Sequence, residues 1–223
     1  MKRSKLSDRA LPSYSVGEER MNMITHIVGG GIGIVALLLC LCKSIYLQST
    51  AAILCSVVYG CSMILLYTMS SVYHGLKAGT AKKVLQVLDH CTIYFLIAGT
   101  YTPIVVCAIA PVYPIIGWGL LITQWLLAAL ATTLTAIDLR KYRVFSMICY
   151  IGMGWGVIFF LPQTMAVLSP PGFWFLFAGG IAYTIGSVLF GLGKRMKWMH
   201  SVFHIFVVLG SILQLISIFF YAL

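Results

Sequence analysis

The sequence predicts an all-α protein: a bundle of seven transmembrane helices, with the N-terminus in the cytoplasm and the C-terminus outside. Three observations predict this fold. Hydrophobic residues make up 61% of the chain and charged residues only 9%, whereas about a quarter of the residues of an average soluble protein are charged. Seven apolar runs are each long enough to cross a hydrocarbon core of roughly 30 Å. The basic residues lie between these runs, on alternate sides.

The chain starts with a polar, basic segment, residues 1–23, which we expect to be a cytoplasmic tail with an amphipathic lead-in to the membrane. Residues 24–223 are predicted to form one membrane domain, because no stretch offers a second soluble core. We expect no cleavable signal peptide, since the first apolar run follows this polar segment and is long enough to span. The runs lie near residues 24–42, 50–74, 89–109, 114–137, 144–161, 173–192 and 198–221.

The distribution of Lys and Arg predicts the orientation. Fourteen of the fifteen basic residues fall in the N-terminal tail or in every second loop, and Lys43 alone falls on the other side. The positive-inside rule places the basic side in the cytoplasm. An even number of crossings would break this alternation. The basic positions are Lys2, Arg3, Lys5, Arg9, Arg20, Lys77, Lys82, Lys83, Arg140, Lys141, Arg143, Lys194, Arg195 and Lys197.

Composition also argues against two other classes of protein. A net charge of +10 is found in nucleic-acid-binding proteins, but here the basic residues form short clusters between apolar runs, which is typical of membrane topology. The seven cysteines are odd in number and lie mostly within apolar runs. A disulfide framework is therefore not expected, and these cysteines are interpreted as small buried hydrophobic residues.

The last apolar run begins with two histidines four residues apart, His200 and His204. On a helix this spacing places both imidazoles on one face, one turn apart. Neutral imidazole is the commonest side-chain metal ligand, so the pair can clamp one ion from a single helix. The alternative is a pair of interfacial histidines that bind backbone groups or lipid head groups.

The other histidines fall at the same predicted depth. On the seven-helix topology His26, His74 and His90, together with the carboxylate of Asp89, each lie within roughly 10 Å of a basic loop at the cytoplasmic end of a span. Burying that carboxylate without a partner would cost several kcal/mol. Asp138 is different, because its basic neighbours favour a solvated loop charge.

Several imidazoles and a carboxylate around one metal ion would remove that cost. Three histidines with an open coordination position are the pattern of catalytic zinc. Copper, iron and nickel also accept imidazole, so zinc is favoured over them without being required. The alternative is a layer of interfacial polar residues on helices that are not neighbours.

Four short motifs carry a family resemblance. In chain order they are E-x-x-N-x-x-T-H from Glu19 to His26, S-x-x-x-H from Ser70 to His74, Asp89-His90 followed by I-A-G-T-Y-T-P at residues 97–103, and H-x-x-x-H from His200 to His204. In this order, with seven apolar runs, they resemble the hemolysin III family, within the wider group of progestin and adiponectin receptors and alkaline ceramidases. The resemblance covers roughly residues 15–221. Ser71 departs from it, at a position where Thr is expected.

The resemblance implies a zinc ion held by His74, His200 and His204. It also implies that Asp89 and Ser70 hold or orient the zinc-bound water.

The same resemblance implies that Glu19 and Asn22 order the start of the first span, and it leaves the role of His26 open. His90 follows Asp89 and points roughly 100° away around the helix. We therefore interpret His90 as a residue that either supports the site or packs in the bundle.

This arrangement permits metal-dependent hydrolysis of a lipid amide or ester at the cytoplasmic leaflet. Zinc lowers the pKa of a bound water to near 7, and Asp89 could accept its proton. Ser70 lies on the same helical face as His74 and could donate a hydrogen bond to that water or to an oxyanion. The alternative for Ser70 is a bond to a carbonyl of its own helix. Membrane lipids are the expected partners, nucleic acid is not, and the resemblance favours the bacterial inner (plasma) membrane.

Two other functions stay open. A structural zinc could tie the spans together in a receptor-like or regulatory protein that affects membrane lipid homeostasis. The family name also raises a pore-forming cytolysin, which ranks lowest because a pore needs polar lining across the whole membrane. The outer halves of the spans offer only scattered polar residues, such as Thr123, Gln124 and Gln214, which more often bond across helices.

Overall fold

The computed structural model describes Leu6, residues 9–193 and residues 195–223, and every regular element in these ranges is helical. The all-α prediction is confirmed. The α-helices are α1 (Val16–Tyr46), α2 (Thr50–Gly75), α3 (Thr80–Pro103), α4 (Pro114–Ile137), α5 (Arg143–Gly154), α6 (Leu161–Leu192) and α7 (Met199–Ser217). A π-helix, Ile104–Ile109, continues α3, a 3-10 helix, Gly156–Phe160, links α5 to α6, and a second π-helix, Ile218–Ala222, continues α7.

Within these ranges six helical stretches are long and apolar enough to cross a membrane, which makes the chain a multi-pass membrane protein. The predicted fifth and sixth spans both fall in one stretch of 50 residues, Arg143–Leu192. This stretch is bent at Ser169, whose φ of 58° is left-handed. Two prolines follow directly, Pro170 and Pro171, and their missing N–H groups favour the break.

The order of packing brings the two ends of the chain together. Helix α1 packs along α2 and also against α7, while α7 packs along α6 and α2 packs along α3. The first, second and last helices are therefore neighbours, although more than a hundred residues separate α2 from α7. This arrangement positions the histidines of three helices at one end of the bundle.

Glycine allows the close approach of α6 to α7. A Cβ atom on Gly179 would lie 2.6 Å from Cγ of Gln214 and 3.1 Å from the carbonyl oxygen of Gly210. Any larger residue would push the two backbones apart, because such contacts are shorter than van der Waals packing allows. The glycine thereby sets the position of α7 relative to the rest of the bundle.

One charged residue differs from its prediction. Asp138 is buried, at 4% exposure, and its Oδ1 accepts hydrogen bonds of 3.1 Å from the backbone N–H groups of Arg140 and Lys141. The prediction of a solvated loop charge is wrong, because the carboxylate closes the turn that follows α4.

The predicted N-terminal segment, residues 1–23, overlaps the start of α1, which begins at Val16. Four of the basic residues used to predict orientation, Lys2, Arg3, Lys5 and Lys194, lie outside the described residues.

Candidate metal centre

Three histidines converge at the end of the bundle where α1 and α7 begin. His74 lies at the C-terminal end of α2, and His200 and His204 occupy the first two turns of α7. Each offers one ring nitrogen, and these nitrogens all lie within 4.8 Å of one another. All three side chains are buried, with 1–7% of the residue exposed. The three residues are called the histidine cluster below.

The start of α7 is fixed by the start of α1. Ser15 and Glu18 form a capping box, in which the serine hydroxyl accepts from the Glu18 N–H and the Glu18 carboxylate accepts from the backbone N–H of Ser15. The other oxygen of Glu18 accepts a 2.7 Å hydrogen bond from the backbone N–H of Trp198. Trp198 has a left-handed φ of 67° and precedes α7. One carboxylate thus holds together the two helix starts that flank the histidine cluster.

Hydrogen bonds fix the ring orientation of two histidines. Nδ1 of His74 donates to Oε2 of Glu19 at 2.6 Å, and Nδ1 of His204 donates to the backbone carbonyl of Asn22 at 3.2 Å. A proton on Nδ1 leaves Nε2 of each ring with a free lone pair. Carboxylate and carbonyl partners of this kind typically orient metal-binding histidines.

The free nitrogens meet in a geometry that fits a metal ion. Nε2 of His204 lies 3.1 Å from Nε2 of His200, and Nε2 of His74 is buried with no hydrogen-bond partner within the described ranges. Tetrahedral zinc with bonds of about 2.0–2.1 Å separates two ligand nitrogens by about 3.3 Å. The 3.1 Å pair is close to this value, and the ring nitrogen of His74 lies within 4.8 Å of the other two. The donor set therefore fits zinc.

A second layer of polar groups surrounds the cluster. Oε1 of Glu19 accepts a 2.7 Å bond from Nζ of Lys82, which also donates to the carbonyl of Leu76. The side-chain oxygen of Asn22 accepts a 2.6 Å bond from the hydroxyl of Ser201. Glu19 and Asn22, which the resemblance places at the start of the first span, therefore contact His74 and His204 directly.

The predicted proton acceptor and hydroxyl lie on the wall of a shared cavity. Asp89 and Ser70 line the same cavity as His200 and His204, while His74 is not among the lining residues. The hydroxyl of Ser70 is buried and has no hydrogen-bond partner in the part of the chain that the structure describes, so it does not form the alternative bond to its own helix. Asp89 is not part of the histidine cluster itself.

The two remaining histidines differ in position. The ring of His26 stacks on His204, with centroids 3.7 Å apart and an interplanar angle of 16°, and neither of its nitrogens has a partner among the described residues. His90 lies on the cavity wall, but its Nδ1 donates to the carbonyl of Gln86 in its own helix at 2.8 Å. His26 therefore adjoins the histidine cluster, whereas His90 is turned back to α3.

The cavity extends from the histidine cluster along the inside of the bundle. Its walls follow α3 and the π-helix from Asp89 to Ile104 and α6 from Phe173 to Phe190. At 1.5 Å per residue these segments are each about 22–25 Å long. Most lining side chains are apolar, and the ionisable and hydroxyl groups that face the histidines lie at one end. The shape suits a ligand with a polar head and a long apolar chain.

Sequence reasoning missed several residues of this end. The Ser15–Glu18 pair has the spacing of a capping box before an apolar run, and this spacing could have predicted the start of α1. Lys82 is bound to Glu19 across 63 residues, and nothing local marks such a pair. Tyr14 stacks on His200 with centroids 4.8 Å apart. Burial, with the nearby carboxylate of Glu19, raises the pKa of Tyr14 well above its ordinary value, so its hydroxyl stays protonated.

The fold and the site define a multi-pass membrane protein with three buried histidines gathered at one end of an internal apolar cavity. Residues 14–215 match the family described as Haemolysin-III related, and the chain belongs to the hemolysin III family. This confirms the family resemblance of the motifs.

Relatives in other organisms agree with this assignment. The chain is 35% identical over 208 residues to Hemolysin-3 of Bacillus cereus, covering 93% of each protein. It is 33% identical to the Hemolysin-3 homolog of Bacillus subtilis (strain 168), covering 93% of this chain and 96% of that protein. A more distant similarity, 26% over 174 residues, joins it to the Monocyte to macrophage differentiation factor of Homo sapiens, covering 74% of this chain and 68% of that protein.

Proposed function

We propose that the protein is a zinc-dependent hydrolase that cleaves an amide or ester bond of a membrane lipid. The observation that carries the proposal is that His200 and His204 of the histidine cluster line one end of a long, mostly apolar cavity, whose wall also includes Asp89 and Ser70. When bound by these histidines, zinc supplies Lewis acidity and brings the pKa of a water into the neutral range.

The residues of the chain have separate roles in this proposal. The carboxylate of Asp89 accepts a proton from the attacking water and later returns it to the leaving group. The hydroxyl of Ser70, which is buried and unbonded among the described residues, donates a hydrogen bond to the carbonyl oxygen of the substrate as negative charge develops on it. Glu19 and the backbone of Asn22 keep the rings of His74 and His204 in place.

The cavity favours a lipid over a water-soluble substrate. Its walls are mostly apolar over about 20 Å beyond the histidine end, so a hydrocarbon chain that leaves water for this cavity is stabilised there. A lipid can enter sideways from the bilayer, which leaves the scissile bond next to the polar end of the cavity.

Replacement of Asp89 by Asn tests the proposal. Full-length protein is purified in detergent, its zinc content is measured, and hydrolysis is followed over a panel of acyl-amide and ester lipids. Asp89→Asn should keep the metal and the thermal midpoint but lose at least about a hundredfold in turnover, the usual size of a general acid–base contribution. Asp138→Asn is the matched control, because Asp138 closes a turn outside the cavity.

Two results would count against hydrolysis. One is zinc-loaded wild-type protein that cleaves no lipid in the panel. The other is an Asp89→Asn protein with unchanged turnover.

A structural role for the metal is the second candidate. The observation that favours it is that the cluster joins α2 to α7, while Asn22 of α1 holds both Ser201 and His204. In that case zinc stabilises a receptor-like or regulatory membrane protein. A cellular assay of the function of the gene distinguishes this role from catalysis. A structural metal predicts that Asp89→Asn retains this function and that His204→Ala loses it.

We also propose that the chain crosses the plasma membrane seven times, with the N-terminus in the cytoplasm. A continuous helix of 50 residues would be about 75 Å long, far more than a hydrocarbon core of about 30 Å. The reversal at Ser169 and the 2.9 Å hydrogen bond from Trp155 to Thr184 support two antiparallel passes. Impermeant maleimide should label a cysteine placed at Tyr46 from outside the cell and one placed at Lys141 only after lysis.

A further inference from the structure

The residues before α1 cross the end of the bundle that carries the histidine cluster. Residues 9–15, called the N-terminal strap below, have no regular secondary structure. At one end Arg9 donates a 3.4 Å hydrogen bond to the carbonyl of Ile137, at the end of α4. At the other end Ser15 is bound twice to the carboxylate of Glu18. Among the described contacts of the strap, the hydrogen bond at Arg9 is long and the two at Ser15 are shorter.

The strap places one aromatic ring on the histidine cluster. The ring of Tyr14 stacks on His200, at a centroid distance of 4.8 Å and an angle of 15°. The same ring lies 5.8 Å from His74, tilted by 51°. Tyr14 thus contacts two of the three histidines of the cluster, and it is not among the residues that line the apolar cavity.

The firm attachment of Ser15 decides where this ring lies. The Glu18 carboxylate that binds Ser15 also binds the backbone N–H of Trp198, two residues before His200. The residue that precedes Ser15 is therefore held beside the start of α7. A Cβ atom on Gly17 would lie 3.1 Å from the ring of Trp198, so the chain passes close to α7 at this point as well.

We propose that Tyr14 closes the aqueous side of the histidine cluster, so that water-soluble ions and products exchange with the site only when the N-terminal strap lifts. The inference rests on the proposed metal site and adds a second entrance to it. The apolar cavity serves the lipid, and the strap controls the aqueous path. Among the described residues, lifting the strap breaks the ring stack and the hydrogen bond from Arg9 to Ile137, while the capping box at Ser15 and Glu18 remains as the hinge.

Three substitutions separate closure from other roles. Tyr14→Ala removes the ring, Tyr14→Phe keeps the ring without the hydroxyl, and Tyr142→Ala removes a tyrosine from the start of α5, away from the cluster. Each full-length protein is purified in detergent with and without zinc. The thermal midpoint of each variant reports whether the fold is intact.

The first measurement needs no metal. Diethyl pyrocarbonate modifies accessible imidazoles, and mass spectrometry gives the rate at His74 and at His200 in the metal-free protein. Tyr14→Ala should raise both rates about three- to tenfold, the factor by which an aromatic stack of ordinary strength biases an opening equilibrium. Tyr14→Phe and Tyr142→Ala should react like the wild type.

The second measurement uses zinc-loaded protein. The rate at which EDTA removes zinc should rise by a similar factor in Tyr14→Ala, with an unchanged metal content at the start. Arg9→Gln loosens the far end of the strap without touching the cluster. It should raise the rate of histidine modification and the rate of zinc removal, each by a smaller factor than Tyr14→Ala does. If Tyr14→Ala does not fold, Arg9→Gln still tests the closure.

Unchanged histidine modification in folded Tyr14→Ala and Arg9→Gln would overturn the closure. So would equal acceleration in Tyr14→Phe, because that result would assign the effect to the hydroxyl and not to the ring. Wild-type protein that binds no zinc would instead contradict the proposed function, and the modification rates would still decide the role of Tyr14.

Discussion

Glu19 provides the sharpest test of how the histidine cluster is supported. Its carboxylate accepts from Nδ1 of His74 at 2.6 Å and from Nζ of Lys82 at 2.7 Å. The side chains of His74 and Lys82 are 0% and 6% exposed, and that of Glu19 is 20% exposed. Glu19→Gln therefore has two separate consequences: it weakens the orientation of His74, and it leaves the charge of Lys82 buried without its partner.

The two consequences differ in size and in what they affect. Removing one partner of a buried ion pair costs about 3–5 kcal/mol, and the partial exposure of Glu19 favours the lower end, about 3 kcal/mol. Loss of the carboxylate that orients a ligand histidine lowers metal affinity by about 10–100-fold. The single variant Glu19→Gln should show both effects.

A double variant separates them. Glu19→Gln with Lys82→Met removes the unpaired charge and keeps the apolar stem of the lysine. It should recover most of the lost stability, while zinc affinity stays about 10–100-fold below that of the wild type. Stability is measured by denaturant unfolding of the metal-free protein, and affinity by competition with a zinc indicator. Zinc affinity that returns to the wild-type value in the double variant would refute the assignment of Glu19 as the group that orients His74.

Two further predictions concern the packing that holds the cluster. Gly29→Ala places a Cβ atom 2.5 Å from the ring of Tyr67, a fully buried side chain, and should lower the free energy of unfolding by about 1–3 kcal/mol. Gly31→Ala, whose Cβ would meet no atom of the described residues within 4 Å, should be neutral or stabilising, and equal losses would contradict this packing. Glu18→Ala removes the acceptor of the Trp198 N–H and should speed amide hydrogen exchange at the start of α7. Unchanged exchange there would show that Glu18 does not hold the start of that helix.

The all-α class and the pairing of His200 with His204 could be predicted from sequence because both depend on local spacing. Apolar runs of membrane length imply helices wherever they occur. Two histidines at i and i+4 share a helical face whatever surrounds them, and in the structure their Nε2 atoms lie 3.1 Å apart.

The partners of these residues could not be predicted in the same way. Glu18 binds the backbone of Trp198 across 180 residues, and this contact exists only because α1 and α7 are neighbours. The sequence gives no local sign of which helices pack together. The ion pair between buried Lys82 and Glu19 depends on the same packing of helices.

The helical stretch between α4 and α7 shows a second reason why the sequence did not predict every feature of the fold. The fifth and sixth predicted spans, residues 144–161 and 173–192, are separated by a segment that contains Pro162, Pro170 and Pro171. In the structure the helix continues past Pro162 and bends at Ser169, because proline is accommodated in the first turn of a helix. Composition locates such a turn only to within several residues, and the bend depends on the left-handed φ of a single serine.

The central claim is that the histidine cluster binds one metal ion. Metal analysis of purified wild-type protein, of His204→Ala and of His90→Ala tests it most directly, since His90 lies on the cavity wall but outside the cluster. We expect about one zinc ion per chain in the wild type and in His90→Ala, and a large loss in His204→Ala. Wild-type protein without metal after purification in zinc-containing buffer, or His204→Ala with the wild-type content, would contradict the claim.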